Sequence, residues 1–298
     1  MVNLRDVRLR MKAIRQTLQV TKAMYLISTA KLRKGRRSLL DTEPYFLRIQ
    51  KSMFDVMSTA RMEKTKFFIA SGVTDTSRTA ILVVTSDKGL AGGYNTNIIH
   101  RVNELCEKVK NPVLIIIGSI GYRHFSNSKW LVLENYSFKS QMPLMDDAKA
   151  VADYVVAQYL WGMFDEVHIV YTHMYSSIKL LPRERQLLPL NKEKLQEEFE
   201  ASGMKRVDLQ YEYIPNKEEF FDWLVPMYVR GIIYGSLVEA YVSEQSARMA
   251  AMNDASKNAE EMLGILQISY NRARQAGITQ EITEISGGAE ALSAQNRH

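Results

Sequence analysis

The chain has 298 residues, of which 46% are hydrophobic and 24% are charged, and this composition is typical of a globular protein and argues against a disordered one. The formal net charge of +6 calls for an acidic partner, whether nucleic acid, an anionic membrane surface or an acidic protein. Cys106 is the only cysteine, which excludes an intrachain disulfide and predicts a small buried helix residue. The longest aliphatic run, VLIII at 113–117, is too short to span a bilayer, so we expect a soluble or peripheral protein.

The first forty residues predict a long basic helix. Apolar side chains advance by three and four residues, as in the seam of a coiled coil: Leu4, Val7, Met11, Ile14 and Leu18. No proline interrupts before Pro44, which predicts a helix from about residue 3 to about residue 58. Eleven basic residues against Asp6 alone place the basic character of the chain in this segment.

The middle of the chain predicts a Rossmann-like α/β domain. A small, polar stretch at 70–77 marks its start, and buried strands are predicted in the following segments: 79–86, 112–118, 130–135 and 166–174. Helical patterns at 94–109, 119–126 and 145–162 alternate with these strands, which indicates a mostly parallel sheet. A further strand at 185–190 is expected at an edge of the sheet, because Pro189 cannot donate a ladder hydrogen bond. The charged stretch at 191–208 is predicted to be a surface segment that is partly helical.

The end of the chain predicts a second long helix. Asn216, with Glu219 three residues later, is a helix cap, and the helical pattern continues to the C-terminus with a bend expected at Pro226. It ends on a regular apolar stripe: Ile278, Ile282, Ile285, Ala289 and Leu292. A narrow apolar stripe cannot stabilise an isolated helix in water, so the two terminal helices are predicted to pack on each other.

The predicted fold class is therefore α/β plus long helices. The N- and C-terminal helices form an antiparallel two-helix coiled coil, and the central domain is a Rossmann-like α/β layer. We expect the N-terminal helix in residues 1–70, the α/β domain in 71–210 and the C-terminal helix in 211–298.

The sequence offers little evidence for catalysis. SDKGLAGGYN (86–95) follows the first strand, which is where phosphate-binding loops lie. Its glycines, however, match neither of the nucleotide-binding patterns G-x-x-x-x-G-K-[ST] and G-x-G-x-x-G. Asp87 and Asn95 are instead expected to brace this turn. The five histidines show no metal-ligand spacing. We therefore predict no catalytic residue, metal or cofactor, with an α/β enzyme that uses the glycine turn as a weak alternative.

The basic N-terminal helix leaves two kinds of partner open. A helical basic region can grip phosphates, so a basic coiled-coil protein that binds nucleic acid is the main alternative function. Its charges share the helix with a regular seam, and Tyr25 is nearly the only aromatic residue available for stacking on bases. We therefore predict an acidic protein partner in preference to nucleic acid.

Three segments form a distinctive combination: QVTKAMYLISTAKLRK (19–34), the SDKGLAGGYN turn and NRARQAGITQEITEISGGAEAL (271–292). Together they resemble the γ subunit of F-type ATP synthases in its bacterial form. The resemblance implies the central-stalk rotor, which couples ion-driven rotation of the membrane c-ring to conformational change in the catalytic β subunits. Its partners would be the α, β and ε subunits and the c-ring, with catalysis on β and no cofactor. It would lie peripherally on the cytoplasmic side of a bacterial cell membrane.

The same resemblance assigns partner-binding and coupling residues. Arg272 and Gln275 look like the pair that engages a loop of β. Arg248, Thr279 and Glu281 resemble polar residues that support coupling along the helices. Met24 occupies the methionine of the T-K-A-M motif, near where an acidic lever of β would approach.

Four positions depart from the usual pattern of the family and affect the expected packing of the helix pair: Leu26, Thr29, Ala91 and Ser286. The cysteine-bearing insert of chloroplast relatives is missing, so thiol control is not expected.

Overall fold

The computed structural model describes residues 4–59, 65, 67–68, 77–136, 142–176, 179–201, 214 and 216–295. These residues form the following helices: α1 (Leu4–Thr59), α2 (Tyr94–Cys106), α3 (Ser119–Phe125), α4 (Met145–Leu160), α5 (Lys192–Ala201) and α6 (Lys217–Gln295). They form the following strands: β1 (Thr79–Val84), β2 (Pro112–Ile117), β3 (Leu131–Tyr136), β4 (Glu166–Met174) and β5 (Leu180–Leu188). The predicted combination of terminal helices with a central α/β layer is confirmed.

The five strands form one mixed sheet in the order β3-β2-β1-β4-β5. β1, β2, β3 and β4 are parallel, and β5 pairs antiparallel with β4. All six residues of β1 are buried, because this strand lies at the centre of the sheet and its β-branched and aliphatic side chains pack on both faces. Alternating strand and helix, with parallel neighbours, is the Rossmann-like arrangement that the sequence predicts.

One buried core of this layer lies between the sheet and α2. Ile98 and Val102, four residues apart on α2, are fully buried against Ile81 and Leu114 of the two central strands. Phe125 at the end of α3 closes the same cluster. Burying each of these side chains stabilises the fold by about 1.5–3 kcal/mol.

The edges of the sheet differ in part from the prediction. β3 was expected to be buried, but Leu131 is 59% exposed and Leu133 is also exposed. The prediction was wrong because β3 is an edge strand with a single neighbour, β2. β5 lies at the other edge, as Pro189 indicated, but it begins at Leu180 rather than near residue 185.

The two long helices begin and end close to the predicted residues. Glu219 N–H donates to Asn216 Oδ1 at 2.8 Å, which confirms the cap of α6. Both helices continue through their prolines, Pro44 in α1 and Pro226 in α6. Gly35 lets the helices approach closely, since a Cβ there would lie 2.7 Å from Val242 Cγ2.

Contacts divide the chain into two compact units. One comprises residues 1–27 and 249–298, and the other comprises residues 28–248. α1 and α6 each contribute residues to both units, and the sheet belongs to the second. The domain boundaries expected from the sequence, at about residues 70 and 210, remain a prediction.

Candidate partner-binding surfaces

The helix pair of the first unit is antiparallel and has a regular seam. Arg8 Nη2 donates to Tyr270 Oη at 2.9 Å, and Lys22 forms an ion pair with Glu260 at 2.6 Å. Residue numbers therefore rise along α1 while those of their partners fall along α6, as in an antiparallel pair. The apolar seam positions of α1 predicted from the sequence are all buried or half-buried: Leu4, Val7, Met11, Ile14 and Leu18. This part of the coiled coil is confirmed.

A pair of hydroxyl groups lies within this seam. Ser256 Oγ donates to Thr21 Oγ1 at 2.8 Å, and Thr21 Oγ1 donates to the carbonyl of Leu18 at 3.1 Å. Both side chains are buried, so these hydrogen bonds replace the hydrogen bonds to water that each hydroxyl loses on folding.

The C-terminal apolar stripe is not part of the seam. Ile282 is 59% exposed and Ile285 is 73% exposed, and every described side chain from Arg274 to Ala289 is exposed. The expectation that this stripe packs on the N-terminal helix is therefore wrong. The reason is the register of the pair: Arg8 already contacts Tyr270, so the described part of α1 has only about one more turn to offer. The side chain of Leu292 lies outside the described residues.

The exposed segment of α6 carries a row of mixed apolar and polar side chains. Ile268, Arg272, Gln275, Thr279 and Ile282 follow one another at steps of four and three, so they share one face of the helix. All five are exposed. We call them the outer row. Three of the residues implied by resemblance therefore lie together on one accessible surface.

The remaining predicted residues of this unit lie elsewhere. Glu281 is exposed but lies on a different face of α6, roughly 140° around the helix from the outer row at 3.6 residues per turn. Met24 is half-buried on α1, one turn beyond Thr21 and therefore near the level of Ser256. Thr279 is 23 residues from Ser256 along α6, or roughly 35 Å at 1.5 Å per residue. The structure thus separates Met24 from the outer row.

Arg248 belongs to the second unit, where its side chain is buried. Its Nη2 donates to the carbonyls of Lys88 and Gly89 at 3.0 and 3.1 Å, and it pairs with Glu244 at 2.7 Å. Burial raises the pKa of Glu244, and the adjacent guanidinium of Arg248 opposes that rise. Arg248 therefore ties α6 to the glycine turn. The spacing of Glu244 and Arg248, four residues apart on a helix, is a sequence signal for their ion pair but not for the contact with the glycine turn.

The glycine turn is held by its own polar side chains as well. Asn95 Oδ1 accepts from the backbone N–H of Ser86 at 3.0 Å, and Asp87 Oδ1 accepts from the N–H and hydroxyl of Ser119, each at 2.9 Å. The bracing role expected of Asp87 and Asn95 is confirmed. Phosphate loops point N–H groups at an anion, whereas this turn points carbonyls at a guanidinium.

Reactive groups are few in the described part of the chain. No group of three or more His, Cys, Asp and Glu side chains there could hold a metal ion. Cys106 is buried, as predicted, and burial raises the pKa of its thiol to about 12, so it stays protonated near neutral pH. Among the described helices, none has the length and hydropathy that a bilayer crossing needs.

The molecule is thus an α/β protein with long terminal helices, whose candidate surfaces suit protein partners. The sequence profile of the family described as ATP synthase matches residues 3–292. The chain therefore belongs to the ATP synthase family. It is 41% identical to the ATP synthase gamma chain of Acetivibrio thermocellus, over 98% of this chain and 100% of that one. It is 38% identical to the sodium ion specific ATP synthase gamma chain of Acetobacterium woodii, over 98% and 99% of the two chains.

Solved structures share the fold at lower identity. A chain of the Euglena gracilis mitochondrial ATP synthase matches with a TM-score of 0.65 and 16% identity, covering 99% of this chain and 96% of that one. A chain of the Tetrahymena thermophila mitochondrial ATP synthase central stalk and c-ring matches with a TM-score of 0.61 and 22% identity, covering 80% and 99%. The arrangement of sheet and long helices is therefore one that ATP synthase chains adopt.

Proposed function

We propose that this chain is the central-stalk rotor subunit of an F-type ATP synthase. It couples ion-driven rotation of a membrane c-ring to conformational change in catalytic β subunits, for ATP synthesis or hydrolysis. The chain itself is non-catalytic. Its partners are the α, β and ε subunits and the c-ring, and it reaches the cytoplasmic face of the bacterial cell membrane through that ring.

The observation that carries this proposal is the exposed segment of α6. Apolar side chains such as Ile282 and Ile285 cost free energy when they face water, and within the described chain nothing covers them. A regular helix of sixteen exposed residues, from Arg274 to Ala289, would extend roughly 24 Å into a surrounding partner. The membership of the chain in the ATP synthase family supports α and β subunits as that partner.

The chemistry of the outer row fits a moving contact. Arg272 and Gln275 offer several hydrogen-bond donors, while Ile268 and Ile282 offer apolar area, so successive partners can bind the same face with different energies. A rotor that presents this face to one β subunit at a time would shift that subunit among conformations by the difference in contact free energy. We assign Met24, Arg248, Thr279 and Glu281 to the same coupling function.

The nucleic-acid alternative has no support from the comparisons. Most basic side chains of α1 are exposed, but such charges on a helix face are ordinary for a protein surface. We therefore propose no nucleic-acid partner.

Co-expression of a tagged version of this chain with the α and β subunits of the same bacterium tests the proposal. The expected result is a stable complex that hydrolyses ATP. A matched chain truncated after Ala273 keeps the paired part of α6 and should assemble poorly. A chain that folds yet never co-purifies with α and β would refute the proposal.

A further inference from the structure

A cavity of about 220 Å³ opens among α1, α6 and strands β4 and β5, within residues 28–248. We propose that this cavity binds a small amphipathic anion, with one acidic head group and a short apolar body. We call it the α1–α6 cavity. None of the six residues assigned to partner binding lines it, so the inference stands independently of the rotor proposal.

One side of the α1–α6 cavity is apolar. Phe46 and Ile49 of α1 and Ile232 of α6 line it. Gly235 leaves the wall open, since a Cβ added there would meet no atom within 4 Å, whereas at Gly231 it would lie 2.6 Å from Phe46. The cavity therefore reaches the backbone of α6 at Gly235 and is closed at Gly231, which leaves room for a short aliphatic chain.

The other side carries two guanidinium groups. Arg183 and Arg185 are two residues apart on β5, so their side chains leave the same face of the strand, at the edge of the sheet. Both line the cavity. Arg185 Nη2 donates to Tyr228 Oη at 3.3 Å, which holds it against the buried part of α6. Planar guanidinium groups bind carboxylates and phosphates through paired hydrogen bonds.

The charges of the cavity favour an anion. Among the described residues that line it, the carboxylate is Glu239, which lies 2.5 Å from His173 Nδ1. The same two arginines also line an adjoining cavity of about 360 Å³, which adds Lys194 to the cationic side and Glu184 and Glu197 to the acidic one. Among the described residues that line the α1–α6 cavity, two guanidinium groups and one carboxylate accompany an apolar wall. That combination recognises an acidic head on an apolar body better than either part alone.

Titration calorimetry of the purified full-length chain with octanoate tests the inference, with 1-octanol and acetate as matched probes. Octanoate should bind at least about tenfold more tightly than octanol, because only the carboxylate can pair with the arginines. Acetate should show no measurable binding, because it lacks the apolar body. Equal affinities for octanoate and octanol, or no heat with octanoate, would overturn the inference.

Two variants locate the binding. Arg183→Gln removes an exposed guanidinium, so the fold should survive, and it should weaken octanoate about tenfold while leaving octanol unchanged. Gly235→Leu fills the open wall and should abolish octanoate binding. Gly264→Leu is its control, because Gly264 is another α6 glycine with open space and lies outside the cavity. Unchanged octanoate affinity in both Arg183→Gln and Gly235→Leu would place any binding elsewhere and contradict the assignment.

Discussion

Two consecutive segments of α6 look alike in sequence but differ in the structure. From Met252 to Ala273 one face of the helix is buried or half-buried, including Met252, Ala259 and Leu263, and apolar side chains such as Met262 and Ile265 are exposed only outside that face. From Arg274 to Ala289 every described side chain is exposed. The first segment is stabilised by its own chain. The second keeps an apolar stripe with no partner inside the described chain, which is the pattern of a surface that is completed by other subunits. Helical periodicity therefore identifies an apolar face without saying which molecule covers it.

The largest effect should come from breaking the paired segment. Met252 is 5% exposed and Met262 is 54% exposed, on the same helix. Met252→Asp buries an unpaired carboxylate in the seam and should lower the free energy of unfolding of the helix pair by about 3 kcal/mol. Met262→Asp should change it by less than about 0.5 kcal/mol. Urea denaturation of the isolated chain, followed by circular dichroism, measures both. Equal destabilisation would mean that the seam is misplaced.

The unpaired segment should respond in the opposite way. Ile282→Asp should leave the unfolding of the isolated chain unchanged, since this side chain already faces water. It should weaken assembly with the α and β subunits by about 2 kcal/mol, or roughly 30-fold in affinity. Ile282→Leu is the matched control and should assemble normally. Normal assembly of Ile282→Asp would show that the partner does not cover this stripe.

A polar member of the outer row sharpens the comparison. Gln275→Leu removes an amide, and its proposed hydrogen-bond partners on β would be left unpaired. Leaving them unpaired costs about 1–2 kcal/mol. The expected result is a roughly tenfold loss of assembly or of ATPase turnover in the purified complex. Gln280→Leu is a suitable control, because Gln280 is an exposed glutamine on a different face of the same segment. If both variants behaved alike, the outer row would have no special role.

The smallest effect is expected at Met24, on the paired part of α1. Met24→Lys places a further cation near the proposed acidic lever of β and should lower the number of ions pumped per ATP hydrolysed by about a factor of two, with hydrolysis retained. Met24→Leu keeps the apolar volume and should preserve the ratio. Ion pumping and ATP hydrolysis, measured together in membrane vesicles, give this ratio. An unchanged ratio in Met24→Lys would count against the placement of Met24 beside β.

The regular elements could be predicted from the sequence, because their periodicities are local. The seam of α1, the buried strand β1 and the cap at Asn216 each follow from residues close together in the chain. The exposure of Leu131 could not be predicted, since strand order within a sheet depends on distant pairings. Neither could the exposure of Ile285, because it depends on the register between helices some 260 residues apart, as the contact of Arg8 with Tyr270 shows.

The candidate site divides in the same way. Spacing alone places Arg272, Gln275 and Thr279 on one face of a helix. The contact of Arg248 with the carbonyl of Lys88 joins residues 160 positions apart, and only the fold brings them together.

The central claim is that this chain turns inside a ring of catalytic subunits, and direct observation of rotation tests it. A bead fixed to the α/β unit of this chain, in a complex with surface-immobilised α and β subunits, reports its angle as ATP is added. The account predicts unidirectional rotation that stops when ATP is exhausted and fails in a complex built with Ile282→Asp. ATP hydrolysis by a fully assembled complex in which this chain never rotates would contradict it.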